Sequence, residues 1–264
     1  DFASDLEDYY QLQGHVSDLT IRGEKQTWRP ASLVIDALTR KDTTWAMAES
    51  GDFSLRMHAA GGFRRLGDQG QVLMDEVMNH IRKKVIDKEK IQALLPELSL
   101  HLASGPSNPI ANYLRLQGVT FKELQLDMET SPDEGVNADG HLYSLVADST
   151  RIDTVRFRLE PRGDELVYRA VVANNKKNPQ FVFTALLEGT LLARGLQADM
   201  TYLDADSKVG ARFGARAEML DSGLQVHLQP YRPILGYKAF NLNEDNNIFM
   251  GADRKIQVNL RLIA

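Results

Sequence analysis

The sequence predicts an all-β protein with one helical insertion, and three observations carry that reading. The first is a period of two, apolar then polar. In RIDTVRFRLE, from Arg151, Val155, Phe157 and Leu159 alternate with Thr154, Arg156, Arg158 and Glu160. The second is rhythm: strand starts near Ile152, Leu166, Phe181, Leu196, Val209 and Leu224 recur every roughly 13 to 15 residues, with polar turns between them, as in a meander. The third is a single change of period. Between Gln71 and Leu95, Val77, Ile81 and Val85 recur at four-residue intervals, which is helical spacing, and Pro96 supplies a stop.

Taken in order, residues 1–66 read as an N-terminal β segment. Short runs contain Leu19 and Ile21, Leu33 and Ile35, Trp45 and Met47, then Phe53, Leu55 and Met57 opposite Ser54, Arg56 and His58. AAGGFRRLGDQG, from Ala59, reads as a flexible connector. Residues 67–98 form the helical insertion, with Arg82, Lys83, Lys84, Asp87, Lys88, Glu89 and Lys90 on its polar side. After the loop SGPSNP, residues 99–264 read as strands to the end. Their apolar rows are Leu124, Leu126 and Met128; Val155, Phe157 and Leu159; Leu166 and Tyr168; Phe181, Phe183 and Leu187; Leu196, Met200 and Tyr202. Val209 and Phe213 follow, then Leu224, Val226 and Leu228, and finally Ile256, Val258, Leu260 and Leu262.

Composition bounds the function. The 264 residues are 43% hydrophobic, enough for a folded core, and the net charge of -5 argues against a general nucleic-acid binder. Cysteine is absent, which removes disulfides, thiolate metal sites and cysteine nucleophiles. No apolar run reaches the roughly 18 residues of a membrane-spanning helix. The chain opens at Asp1 and stops inside the strand-like VNLRLIA, so it reads as a piece of a longer protein.

About twenty large apolar side chains on one face would forfeit ~1.5–3 kcal/mol each if left in water. Something must cover them. The C-terminal two thirds shows no helical pattern, which rules out helices on both faces and leaves a second sheet, a closed barrel, or a curled sheet holding something apolar. A membrane barrel needs strands of about 9 to 11 residues with aromatic girdles; these strands read as shorter, and Trp28 and Trp45 both lie near the N-terminus. Periodicity leaves a β-sandwich and a curled open sheet equally open.

Catalytic and metal chemistry finds no good candidate. DADSKVG, from Asp204, starts like a calcium loop but lacks the turn glycine and the final acid, so it reads as a turn, as does the Asx-rich NLNEDNN from Asn241. His15, His58, His80, His101, His141 and His227 are scattered without zinc-ligand spacing, His58 and His227 standing on polar rows where they read as solvated. There is no nucleophile elbow and no phosphate-binding glycine motif, and Asp164 with Glu165 sits in a turn. The basic cluster at HIRKK would suit anionic headgroups, but the nearby Asp87 and Glu89 favour a solvated face. The expectation is no enzyme, no cofactor and no metal.

The segment GLQVHLQPYRPILGYKAFNLNEDNNIFMGADRKIQVNLRLIA, with LLPELSLHLASGPSNPIANYLRLQGVTF and FVFTALLEGTLLARGLQADMTYLDADSKVGARFGARAEM upstream, resembles the AsmA-like superfamily, in particular TamB-type translocation and assembly module proteins of the Bacteroidota form. The resemblance covers about Leu94 to Ala264 well and the earlier part loosely. It implies an elongated curled antiparallel sheet, a taco-like groove, as part of a periplasmic protein anchored in the inner membrane. The groove would carry phospholipid between inner and outer membranes, and the apolar rows named above would line it. A TamA-like outer-membrane barrel is the implied protein partner, with outer-membrane protein assembly as the alternative role. Membrane contact would fall to parts of the parent outside this fragment.

Overall fold

The computed structural model describes residues 1–5, 9–23, 27–251 and 255–263, and it is one large open antiparallel sheet with three helices. Eighteen strands join it. Sixteen of them run across the sheet in chain order: β1 (Phe2–Ser4), β2 (Tyr10–Val16), β3 (Leu33–Thr39), β4 (Thr43–Ser50), β5 (Phe53–Ala60), β6 (Leu98–Ser104), β7 (Glu123–Ser131), β8 (Gly135–Ala147), β9 (Thr150–Arg162), β10 (Glu165–Asn174), β11 (Phe183–Leu192), β12 (Gly195–Leu203), β13 (Val209–Leu220), β14 (Gly223–Leu235), β15 (Asn247–Gly251) and β16 (Ile256–Asn259). Val119–Thr120 extends the sheet beside β8, and Lys238–Ala239 beside β14. Two short ribbons, Ile21–Arg22 with Thr27–Trp28 and Asn241–Leu242 with Leu262–Ile263, stand apart.

The meander follows from the sequence. Polar turns of two to four residues join most neighbours, and short connections between adjacent antiparallel strands are the simplest topology. Strand β6 pairs β5 on one side and β7 on the other, Leu100 standing opposite both Met57 and Met128. The strands before and after the helical insertion are therefore one sheet. The turn at 252–254 lies outside the described residues.

The helices are α1 (Phe63–Lys83), α2 (Lys88–Gln92) and α3 (Pro109–Leu116). Three expectations are corrected by the structure. The helix expected from Gln71 to Leu95 begins eight residues earlier, breaks at Lys84 and resumes as α2, so the glycine-rich stretch read as a connector forms the first turns of α1. Local signals miss this start because its cap is distant: the Phe63 N–H donates to Thr39 Oγ1 (2.9 Å), while N-cap Gly62 offers no side chain. The chain also leaves strands again after SGPSNP, to form α3. Asn108 accepts from the Ala111 N–H (2.9 Å) and Pro109 follows at the first helical position. Lastly, β7 to β14 are 9 to 13 residues long, not shorter than membrane-barrel strands.

The sheet bends toward the side on which α1 lies. Helix α1 starts against Thr39 of β3 and ends beside β14 and β15, where Lys84 Nζ lies 4.0 Å from Met250 Sδ. Twenty-one residues of helix span about 31 Å. The path through the sheet from β3 to β14 crosses eleven strand spacings, about 53 Å. A rod that short can join those two points only as a chord across a concave surface. A membrane barrel would turn its apolar side outward; here α1 meets Thr39, Leu191 and Leu224, which all stand on the apolar side, so the apolar side is the concave one.

Candidate functional site

Cross-strand partners in an antiparallel sheet point to the same face. Following the register from strand to strand therefore maps each face. One row runs from Phe2 through Leu12, Ala37, Ala46, Met57 and Leu100 to Met128, then Ala138, Leu159, Tyr168, Gly189, Ala198, Ala215 and Leu228. Beside it, Leu126, Gly140, Phe157, Ala170, Leu187, Met200 and Phe213 form a second. A third holds Leu124, Leu142, Val155, Val172, Ala185, Tyr202 and Ala211. Toward α1 come Leu166, Leu191, Leu196, Ala217, Val226, Ile248 and Val258, and then Leu224, Met250 and Ile256. The apolar rows thus merge into one face across the whole sheet.

Most residues expected on this face are there. Phe183 stands beside Tyr202 (ring centroids 6.2 Å apart), and Phe181, just before β11, stacks on Phe183 at 5.2 Å. Val209 sits at a bulge opposite Leu203. Leu260 and Leu262 are corrections: Leu260 lies outside any strand, and Leu262 pairs with Leu242 in a separate ribbon, because the chain departs from the sheet after Asn259. Trp45 and Met47, read as an apolar row, point to the opposite side, opposite Leu38 and Asp36, while Ala46 and Ala48 take the apolar face. Sequence reasoning also missed the N-terminal share of the face. Leu98, Leu100 and Leu102 alternate as clearly as the later rows and could have been found by the same period.

Among the described residues no second layer covers this face. Phe157, Leu187 and Phe213, in the middle of the second row, are 37%, 42% and 42% exposed, where a sandwich would bury them. The buried apolar side chains are few, among them Phe53, Ala59, Leu95, Ala111 and Phe121, gathered near β5, β6 and α3. A compact monomer of 29.6 kDa exposes about 11,600 Å². This chain exposes 16598 Å², roughly 1.4 times as much. Width within the trough comes from small residues under large ones. Phe157 lies over Gly140 and Tyr168 over Gly189, where a Cβ would collide with the ring above it, and the Tyr168 hydroxyl donates to the Gln197 carbonyl (2.7 Å).

The reverse face carries many charged side chains among apolar ones such as Trp45, Val171 and Leu186, and several of the charges pair with one another. His101 Nδ1 lies 2.5 Å from Asp127 Oδ1, and this contact holds the Asp127 carboxyl below the usual range. Glu123 meets His141 at 3.0 Å and Arg169 meets Glu188 at 3.7 Å. His227 Nδ1 lies 2.6 Å from the Asn246 carbonyl oxygen, so it is engaged in the fold rather than simply solvated. Asp204 Oδ1 accepts from the N–H groups of Asp206 and Lys208, closing an Asx turn. Asn243, Asp245, Asn246 and Asn259 bond to one another and to backbone in the same way.

Helices α1 and α2 lie along one rim of the trough, at the turn ends of the strands. The Lys88 N–H donates to the Ala193 carbonyl (2.9 Å) and Gln92 Nε2 to that of Pro132 (3.0 Å). Glu76 of α1 ties the two helices together through an ion pair with Lys90, its Oε1 lying 2.6 Å from Lys90 Nζ and 3.0 Å from Nε2 of His80 on its own helix. The Lys90 bond holds the Glu76 carboxyl below its ordinary value and raises the Lys90 ammonium above its own. Among the described residues no helix is long and apolar enough to cross a membrane. Comparison with protein-family models, curated proteins and solved structures finds no match.

Proposed function

We propose that the concave apolar face shelters acyl chains, making this chain a segment of a phospholipid conduit between the inner and outer membranes, in line with its resemblance to TamB-type proteins. The supporting observation is the uncovered central row Phe157, Leu187 and Phe213 on a face that is apolar across the sheet. Each methylene transferred from lipid to water costs about 0.8 kcal/mol, so a two-chain lipid crosses an aqueous space only if its apolar surroundings are continuously replaced. A trough open on one side does this while leaving the headgroup in water, which avoids burying an unpaired charge.

Organic extraction of the purified protein followed by mass spectrometry tests the reading. Phospholipid is expected to accompany the wild-type chain and to be lost from Leu187→Asp and Phe213→Asp, both exposed positions where a carboxylate is compatible with folding. Arg156→Ala, on the polar face, should retain it. Lipid bound equally to all three variants would remove the apolar face from the function.

A second reading has its own supporting observation. Among the described residues β16 pairs on one side only, with β15, and its Ile256 and Val258 are 62% and 61% exposed, a template on which a strand of an outer-membrane protein could add. In that role the chain would act as an assembly scaffold beside a TamA-like barrel. It predicts capture of extended peptides with no lipid requirement.

A further inference from the structure

We infer that α1 is a membrane-docking helix whose basic end seats the rim of the trough on an anionic phospholipid surface. The inference deepens the lipid-conduit reading and rests on it for the transfer of lipid into the trough, whereas docking itself is measured separately. Helix α1 has no buried residue. Met74, Met78 and Ile81, spaced by four and three, make a stripe along it and are 59%, 45% and 64% exposed, and Val85, just past its end, is 36% exposed. A stripe of this size facing water on a helix only loosely attached to the sheet requires a partner.

The charges beside the stripe identify the partner's chemistry. Arg82, Lys83 and Lys84 close the last turn, and among the described residues none of them is within ion-pair distance of a carboxylate. The acids that would neutralise this cluster in sequence are placed elsewhere. Asp87 lies beyond α1 and caps α2 by accepting from the Lys90 N–H (3.0 Å), Glu89 belongs to α2, and Lys90 is held by Glu76. The chain as a whole carries a net charge of -5, which an anionic surface would repel, so attraction to one requires a local basic cluster such as this end of the helix provides.

Position completes the inference. The three cations border a hollow of about 660 Å³ whose floor includes Met219, Leu224, Met250 and Ile256; the one acid in its lining, Asp221, pairs with Arg194 (3.2 Å). Ile81 and Val85 then face Leu191 and Leu224 of the trough across an apolar gap of about 380 Å³. Positive charge at headgroup level thus adjoins an unbroken apolar path from the helix stripe to the concave face. That juxtaposition is what lipid entering or leaving a bilayer needs, with phosphate outside and chains within.

The test is co-flotation of the purified chain with vesicles of phosphatidylcholine alone or mixed with phosphatidylglycerol. Wild type is expected to bind the mixed vesicles, to bind the neutral ones far less, and to be released by salt. Each basic residue near an anionic leaflet strengthens binding by about fivefold, so Arg82→Gln, Lys83→Gln and Lys84→Gln together should weaken it on the order of 100-fold. Met78→Ser with Ile81→Ser, both at exposed positions, should weaken binding to mixed vesicles while leaving its salt dependence. Equal binding by wild type and the triple variant, with unchanged circular dichroism, would overturn the inference, as would full displacement by inorganic phosphate, which would mark an isolated phosphate site. Lipid co-purifying with the triple variant separates the two proposals: retained lipid with lost docking leaves the trough reading intact, and docking by a wild-type chain that carries no lipid leaves the helix reading intact.

Discussion

Asn246 is 1% exposed, and its side chain takes the place of a neighbouring strand. Its Oδ1 accepts from the Leu228 N–H (2.7 Å) and its Nδ2 donates to the Leu228 carbonyl (3.2 Å) and to that of Asn243 (3.0 Å). Leu228 lies where β14 has passed the end of β15, so no backbone neighbour on that side satisfies these groups. The amide substitutes for one. Asn246→Ala leaves a partly buried donor and acceptor unpaired, at about 1–3 kcal/mol. Urea denaturation should show the midpoint falling by a corresponding amount with an unchanged slope. Asn246→Asp keeps the acceptor but cannot donate, and is expected to be destabilised as well; a variant as stable as wild type would show that the amide bonds carry no net stability.

Among the elements, α1 is held to α2 by a titratable lock. Glu76 has a folded-state carboxyl below its ordinary value of 4.5 because it accepts from Lys90, with His80 beside it. A depressed carboxylate stabilises the fold above its unfolded value and loses that contribution as pH falls through the folded one. Acidification below about pH 4.5 should therefore loosen α1 before the sheet, seen as faster hydrogen exchange at α1 amides, and Glu76→Gln should show the faster exchange at neutral pH with less further change on acidification. The existence of this helix was legible from Val77, Ile81 and Val85, but its start was not, since Thr39 supplies the cap from 24 residues away. Helix α3 was legible and missed: Asn108 followed by Pro109 is a capping signal within a loop-like composition. Leu262 carried the strand period and still left the sheet, because period specifies alternation and not which partner a strand takes.

Across the whole molecule, alternation gave away which side chains share a face but not how the face bends. Val155, Phe157 and Leu159 alternate identically in a sandwich and in a trough, whereas bulges such as that between Arg212 and Gly214, which favour a bend, have no local signature. The bend leaves a folded state with apolar area still in water, and that area makes the native chain responsive to amphiphiles. An occupant that binds the folded trough and not the unfolded chain stabilises by mass action, about 2.7 kcal/mol at a hundredfold excess over its Kd. For a domain of this size that raises Tm by roughly 5–11 °C. A single-chain phosphocholine detergent held below its micelle concentration should produce the rise in calorimetry, and Phe213→Asp should reduce it by placing a carboxylate at the centre of the face. A soluble headgroup such as glycerophosphocholine lacks the chain and should leave Tm unchanged. A rise that survives Phe213→Asp, or that the headgroup alone reproduces, would place the binding energy outside the trough.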